Sequence, residues 1–200
     1  MKIDNFSLLI AVLAILFMSP GCSTGALKEA QPLPALSFKN YDPLPLKVSN
    51  VEIESSYDPV ITDEDFSETF PVPPDVALKR YLRQKLRASG NEGLLLVNIV
   101  DAKVSHETKG SESFFGRLFG TGAKDIYSVS MRLTMILKPA RGEKVRTTSI
   151  VADRTLTLPE GVSMYERDKA KLEMVERIIA ETDPVLTKAL RNSLEIYMEQ

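Results

Sequence analysis

The stretch Ile126-Tyr127-Ser128-Val129-Ser130-Met131-Arg132-Leu133-Thr134-Met135-Ile136-Leu137-Lys138 decides the fold. Tyr127, Val129, Met131, Leu133, Met135 and Leu137 alternate with Ser128, Ser130, Arg132, Thr134, Ile136 and Lys138. Successive side chains of a strand point to opposite faces, so this period of two predicts an antiparallel strand with one face in the core and one in water. Pro139-Ala140-Arg141-Gly142-Glu143 reads as a hairpin turn. Val145 to Leu158 then returns as the next strand, with Ile150, Ala152, Leu156 and Leu158 on one face. At about 3.3 Å per residue each strand runs roughly 40 Å, which predicts a tall, twisted sheet.

On the C-terminal side, Ser163-Met164-Tyr165-Glu166 is a capping box, with Ser163 as N-cap and Glu166 three residues on. The helix it opens carries Leu172, Val175, Ile178 and Ile179 on one side. Thr182-Asp183-Pro184 reads as a break and restart, Asp183 capping and Pro184 at the first helical position. A last helix follows, with Leu186, Leu190 and Leu194 four residues apart. These helices are expected to cover the apolar face of the sheet.

On the N-terminal side, Leu94 to His106 predicts a long strand with Leu94, Leu96, Val100, Ala102 and Val104 on one face. Its start is apolar on both faces, which suggests an interior position. Pro73-Pro74-Asp75 opens an earlier helix with a Leu78, Leu82, Leu86 stripe and Tyr81 beside it, and Gly90 is its expected C′ residue. Lys79, Arg80, Arg83, Lys85 and Arg87 form the other face: a solvated face, or one that could touch lipid headgroups or an acidic partner. Lys47 to Glu54 predicts the first strand. The acidic stretch Asp58 to Glu68 lacks the glycine that a calcium loop needs and reads as a solvated loop. The fold class is therefore α+β: a two-layer domain over residues 47–200, its sheet mostly antiparallel with long central strands and its helices on one face.

Between these elements lies Gly110-Ser111-Glu112-Ser113-Phe114-Phe115-Gly116-Arg117-Leu118-Phe119-Gly120-Thr121-Gly122. The glycines fit neither a dinucleotide nor a P-loop pattern. Exposed Phe114, Phe115, Leu118 and Phe119 would dock a protein partner or a bilayer; folded back, they would fill the core.

The 200 residues carry 25 Lys and Arg against 27 Asp and Glu, a net charge of −2, which does not suit a nucleic-acid binder. One cysteine allows no intramolecular disulfide and no thiolate metal cluster. The single histidine, His106, is read as a surface residue. No nucleophile elbow or HExxH motif is present, so neither an enzyme nor a cofactor or metal site is expected.

The first two dozen residues place the protein. Lys2 precedes the apolar run Phe6 to Met18, too short to span a bilayer, and Ser19-Pro20-Gly21-Cys22-Ser23 follows. This resembles the signal peptide and lipobox of bacterial lipoproteins, whose usual pattern is Leu, a small residue, Gly or Ala, then Cys; here Ser19 stands in place of the Leu. The resemblance implies cleavage before Cys22, acylation of its thiol with chains such as palmitate, and membrane attachment through that lipid. Ser23 is not the Asp that retains such proteins at the inner membrane of enteric bacteria, which favours the periplasmic face of the outer membrane. Residues 1–21 are then the signal peptide. Residues 22–46, broken by Pro32, Pro34, Pro43 and Pro45, form a tether, or one whose Leu36 to Tyr41 part packs on the domain as an edge segment.

The layout of anchor, Pro-rich tether, early helix, long hairpin and closing helices is similar to the auxiliary lipoproteins of ABC-type lipid transport systems and to the outer-membrane lipopolysaccharide-assembly lipoprotein. That similarity implies a non-enzymatic, lipid-anchored accessory or binding component of an envelope transport or assembly complex. The alternative is a periplasmic lipoprotein enzyme or small-ligand binder using a cleft between sheet and helices.

Overall fold

A computed structural model describes residues 31–59, 64–110, 122–139 and 144–194. Every element below lies in the unit formed by residues 33–200. In order these are β1 (Leu44–Leu46), β2 (Asn50–Ser55), a 3-10 turn (Ser67–Thr69), α1 (Pro74–Lys85), β3 (Leu86–Ala88), β4 (Leu94–Asp101), β5 (Val104–Lys109), β6 (Lys124–Lys138), β7 (Arg146–Pro159) and α2 (Met164–Leu194). The class is α+β, with helices packed on one side of the sheet.

β6 behaves as its alternation predicts. Tyr127, Val129, Met131, Leu133, Met135 and Leu137 are all buried. β7 pairs antiparallel along one edge of β6 from Lys124↔Pro159 to Leu137↔Arg146. β4 and β5 share the other edge, β4 along Arg132–Lys138 and β5 along Lys124–Val129. β2 adds to β4 in parallel, with α1 as the crossover between them, as parallel neighbours require. β1 and β3 make a separate two-stranded parallel sheet.

Three expectations change, and one open alternative is decided. The predicted strand from Leu94 to His106 is two strands, because the register shifts between Ile99 and Asp101. The extra residue reverses the parity: Leu95, Val97 and Ile99 are buried before the shift, and Ala102 and Val104 after it. Leu94, Leu96 and Val100 therefore do not share the core face with Ala102.

The break at Thr182-Asp183-Pro184 does not occur; α2 is one helix with Pro184 inside it. An internal proline costs about 3 kcal/mol because the carbonyl four residues back loses its donor. Ile178, Ile179, Leu186 and Leu190, on both sides of it, are completely buried, at about 1.5–3 kcal/mol each. Packing outweighs the local preference. Asp183 does not cap; its carboxylate accepts a hydrogen bond from Tyr81 and forms an ion pair with Lys85.

The first helix ends at Lys85, and Leu86–Ala88 leaves it as strand β3. Gly90 is thus no C′ residue. Its absent side chain lets two backbones meet: a Cβ there would lie 2.5 Å from the Lys47 carbonyl carbon and 2.8 Å from Val48 N. Hydrogen bonds from Ser89 N–H to the Leu46 carbonyl (2.8 Å) and from Gly90 N–H to the Val48 carbonyl (3.0 Å) hold that approach.

Of the two readings of residues 22–46, the structure bears out the one in which the last part packs on the domain. Phe38, Leu44 and Leu46 belong to the core, and Leu36 and Tyr41 pack against it. Gly90→Ala is expected to cost about 1–3 kcal/mol, because neither backbone can retreat. Urea unfolding would show a lower midpoint at unchanged slope; an unshifted midpoint would mean that the contact yields freely.

Candidate functional site

Two polar arrangements and one sheet edge stand out. The first lies where the leading segment crosses the helices. Phe38, Tyr41 and Tyr81 form a tilted aromatic trio with centroids 5.3–6.1 Å apart. Gln84 Nε2 donates to the Phe38 carbonyl at 2.7 Å. Behind them Tyr81 OH donates to Asp183 Oδ1 at 2.6 Å, and Lys85 Nζ reaches the same oxygen at 2.9 Å. Burial, then the Asp183 hydrogen bond and charge, push the Tyr81 phenol far above its ordinary range, so it stays a neutral donor.

Two open clefts flank Asp42 and Pro43. One, of about 680 Å³, is lined by Lys85, Asp183, Lys188 and Arg191 among others. The other, of about 630 Å³, is lined by Lys39, Tyr41, Arg80, Arg83, Gln84 and Arg87. Arg80 and Arg83 lie three positions apart on one side of α1, and Arg87 follows in β3.

The second arrangement sits at the root of the β5–β6 hairpin. Register places His106 opposite Tyr127 and Thr108 opposite Asp125. The His106 ring stacks on Tyr127 (4.6 Å, 21°) with the edge of Phe66 at 5.1 Å. It is therefore sandwiched, with only 22% of its side chain exposed, and is not the free surface residue expected. Asp125 gathers Arg167 Nη1 (2.5 Å), Thr108 Oγ1 (3.0 Å) and His106 Nε2 (3.1 Å), and Arg167 also donates to Tyr127 OH at 3.1 Å. The Arg167 hydrogen bond holds the Asp125 carboxyl below the usual carboxylate range, and Asp125 in turn raises Arg167.

Next to it Lys171, 5% exposed, lies 4.7 Å from the Tyr127 centroid and 5.1 Å from that of Phe70, and donates to the Thr69 carbonyl at 3.2 Å. Burial lowers its pKa. A His–Asp pair can orient a general base, but here its members are committed to each other and to Arg167, so the arrangement reads as a clamp on the hairpin root. The acidic stretch holds a similar internal bond set. Asp65 is buried, accepts from Tyr57 OH (2.5 Å), Ser67 N–H (3.0 Å) and Val104 N–H (3.3 Å), and is not the solvated residue expected. Burial alone would raise its pKa; those hydrogen bonds outweigh burial and lower it.

The edge is that of β7. Among the described residues it pairs only with β6, so 14 residues present a row of unpaired backbone groups, with Val151 53% exposed. No group of three or more His, Cys, Asp or Glu suited to a metal ion occurs among the described residues. No helix there is long and apolar enough to cross a membrane. Cys22, expected to carry lipid, and Phe114, Phe115, Leu118 and Phe119, expected either to dock a partner or bilayer or to fill the core, lie outside the described residues. The clamp at His106 was invisible in sequence because it depends on hairpin register; the arginines of α1 and β3 were visible as a basic face.

No family model matches the sequence, and no curated protein matches it. Solved structures similar to it include a neuraminyllactose-binding hemagglutinin homolog from Helicobacter pylori. It shares 11% identity over 80% of this chain and 100% of that one, with a TM-score of 0.40. Another is a minor lipoprotein from Acinetobacter baumannii, 13% identical over 76% of this chain and 97% of that one, with a TM-score of 0.31. Likenesses this distant carry no statement about site or activity.

Asp125→Asn is expected to lower stability at neutral pH by about 1.5–3 kcal/mol, since the hydrogen bonds lost are charge-assisted. The Asp125 carboxyl is lowered in the folded state. Its contribution is therefore complete above its unfolded value of about 3.9 and is lost as pH falls through the folded value. Thermal melts from pH 7 down to pH 2 should show the two proteins converging only at the acid end. A constant gap would mean that the charge of Asp125 is not the source.

Proposed function

We propose that this protein is a lipid-anchored, non-enzymatic binding component of the bacterial envelope, an accessory to a transport or assembly complex. Its anchor is an acylated Cys22, and its place is the periplasmic face of the outer membrane. The observation that carries the reading is where binding capacity remains. The carboxylates of Asp125, Asp65 and Asp183 are each bonded to neighbouring side chains. The 14-residue edge of β7 has no strand partner among them. Such an edge accepts an incoming strand through main-chain hydrogen bonds. Phe114, Phe115, Leu118 and Phe119 supply a second, apolar contact with the partner.

The test is crosslinking in intact cells. A photocrosslinking amino acid at Val151 or Phe115 should capture the same envelope complex, and a label at Met164, which is exposed outside the edge strand, should not. Cys22→Ala should reduce capture by an order of magnitude or more through loss of local concentration at the membrane. Phe115→Ser with Phe119→Ser should weaken it further. Lipidation with no specific capture at either position would remove the accessory reading in favour of a small-ligand binder using a cleft between sheet and helices.

A further inference from the structure

We propose that the two clefts beside Asp42 and Pro43 form one binding surface for the phosphate headgroups of anionic phospholipids, a deepening that rests on the lipid-anchored reading above. Lys39, Arg80, Arg83, Arg87, Lys188 and Arg191 converge there from the leading segment, α1, β3 and α2. All six are exposed, and none has an ion-pair partner among the described residues. The acidic groups in the same lining are Asp42 and Asp183, and Asp183 is already held by Lys85 and Tyr81. A surface with five net positive charges thus sits on a chain whose total is −2. Such segregation leaves mutual repulsion that an anionic ligand relieves.

Two features favour a phospholipid surface. Four of the six cations are arginines, whose planar fork bonds phosphate oxygens in pairs. The surface also lies where the chain arrives: Lys39 is 17 positions beyond Cys22, at most about 60 Å of fully extended chain. A cluster of Lys and Arg held that near a bilayer meets the anionic headgroups first.

Flotation with vesicles tests this on the full chain carrying Cys22→Ser, so that acyl chains contribute nothing. The apolar run Phe6 to Met18 gives a background common to all vesicles, and the readout is the ratio of binding to phosphatidylcholine–phosphatidylglycerol vesicles over phosphatidylcholine alone. We expect a ratio well above one that falls steeply with added salt. Arg80→Glu, Arg83→Glu and Arg87→Glu together should cut binding to the anionic vesicles about a hundredfold. Lys188→Glu with Arg191→Glu, on the other helix, should cut it independently, so misfolding of one variant does not decide the matter.

A ratio near one, or charge-reversed variants that bind as the parent does, overturns the proposal. So does binding of poly-glutamate that the reversals abolish without any preference for anionic vesicles, which would assign the surface to an acidic protein. Lipidation of Cys22 in the unmutated chain is read separately, by mass spectrometry of the membrane fraction. Its absence would sink the anchor and leave the vesicle result standing.

Discussion

The register of β6 is the constraint on which the rest depends. Every antiparallel ladder of the sheet runs through it: β4 and β5 in succession along one edge and β7 along the whole of the other. Side chains alternate along a strand, so a slip by one residue would send Tyr127, Val129, Met131, Leu133, Met135 and Leu137 to the outer face and bring Ser128, Ser130 and Arg132 inside. Burying one such apolar side chain contributes about 1.5–3 kcal/mol, so six together are worth on the order of 10 kcal/mol. That is comparable with the whole stability of a typical domain. Ser128–Thr155 and Thr134–Ser149 hydroxyl pairs on the outer face add the same register from the wet side.

The parts of the fold legible in sequence are those where one local signal acts alone. β6 has strict alternation, and the capping box at Ser163 forms as read, with Glu166 N–H donating to Ser163 Oγ at 3.2 Å and Ser163 N–H to the Glu166 carboxylate at 3.3 Å. Legibility failed where two signals compete. Leu94, Leu95, Leu96 and Val97 are apolar on both faces, so local pattern cannot choose between them, and the register shift between Ile99 and Asp101 depends on pairing with β6. Pro184 signals a break, and tertiary burial on both sides overrides it. The docking of the leading segment was one of two readings open for Leu36 to Tyr41, but the pairing of Leu44–Leu46 with Leu86–Ala88 was hidden because Leu86 looked like helix.

Buried charge sets how the two helices meet. Tyr81 and Asp183 lie 102 positions apart, and Lys85 joins them with 8% of its side chain exposed. Taking Lys85 and Asp183 out of water costs much of what their attraction returns, so the pair contributes little net stability. Its effect is on selection. Only one registry of α1 against α2 gives Asp183 both donors, and any other leaves a buried ammonium unpaired, at a penalty of several kcal/mol. Lys171 repeats the device under the sheet, where the faces of Phe70 and Tyr127 and the Thr69 carbonyl stand in for a carboxylate.

These constraints also decide how far the domain can stand from its N-terminus. With Phe38 and Leu46 in the core and Ser89 N–H bonded to the Leu46 carbonyl, the chain ahead of the domain ends near Leu36 instead of at Lys47. Moving that point by about ten residues removes roughly 35 Å of possible reach. For a chain held at Cys22 the loss is a gain in effective concentration at the bilayer, which rises as a linker shortens toward the span it must cover. It is a gain in orientation too. The residues that dock are the ones that carry Lys39 and Asp42, so the segment that limits reach also fixes the cationic clefts beside the incoming chain.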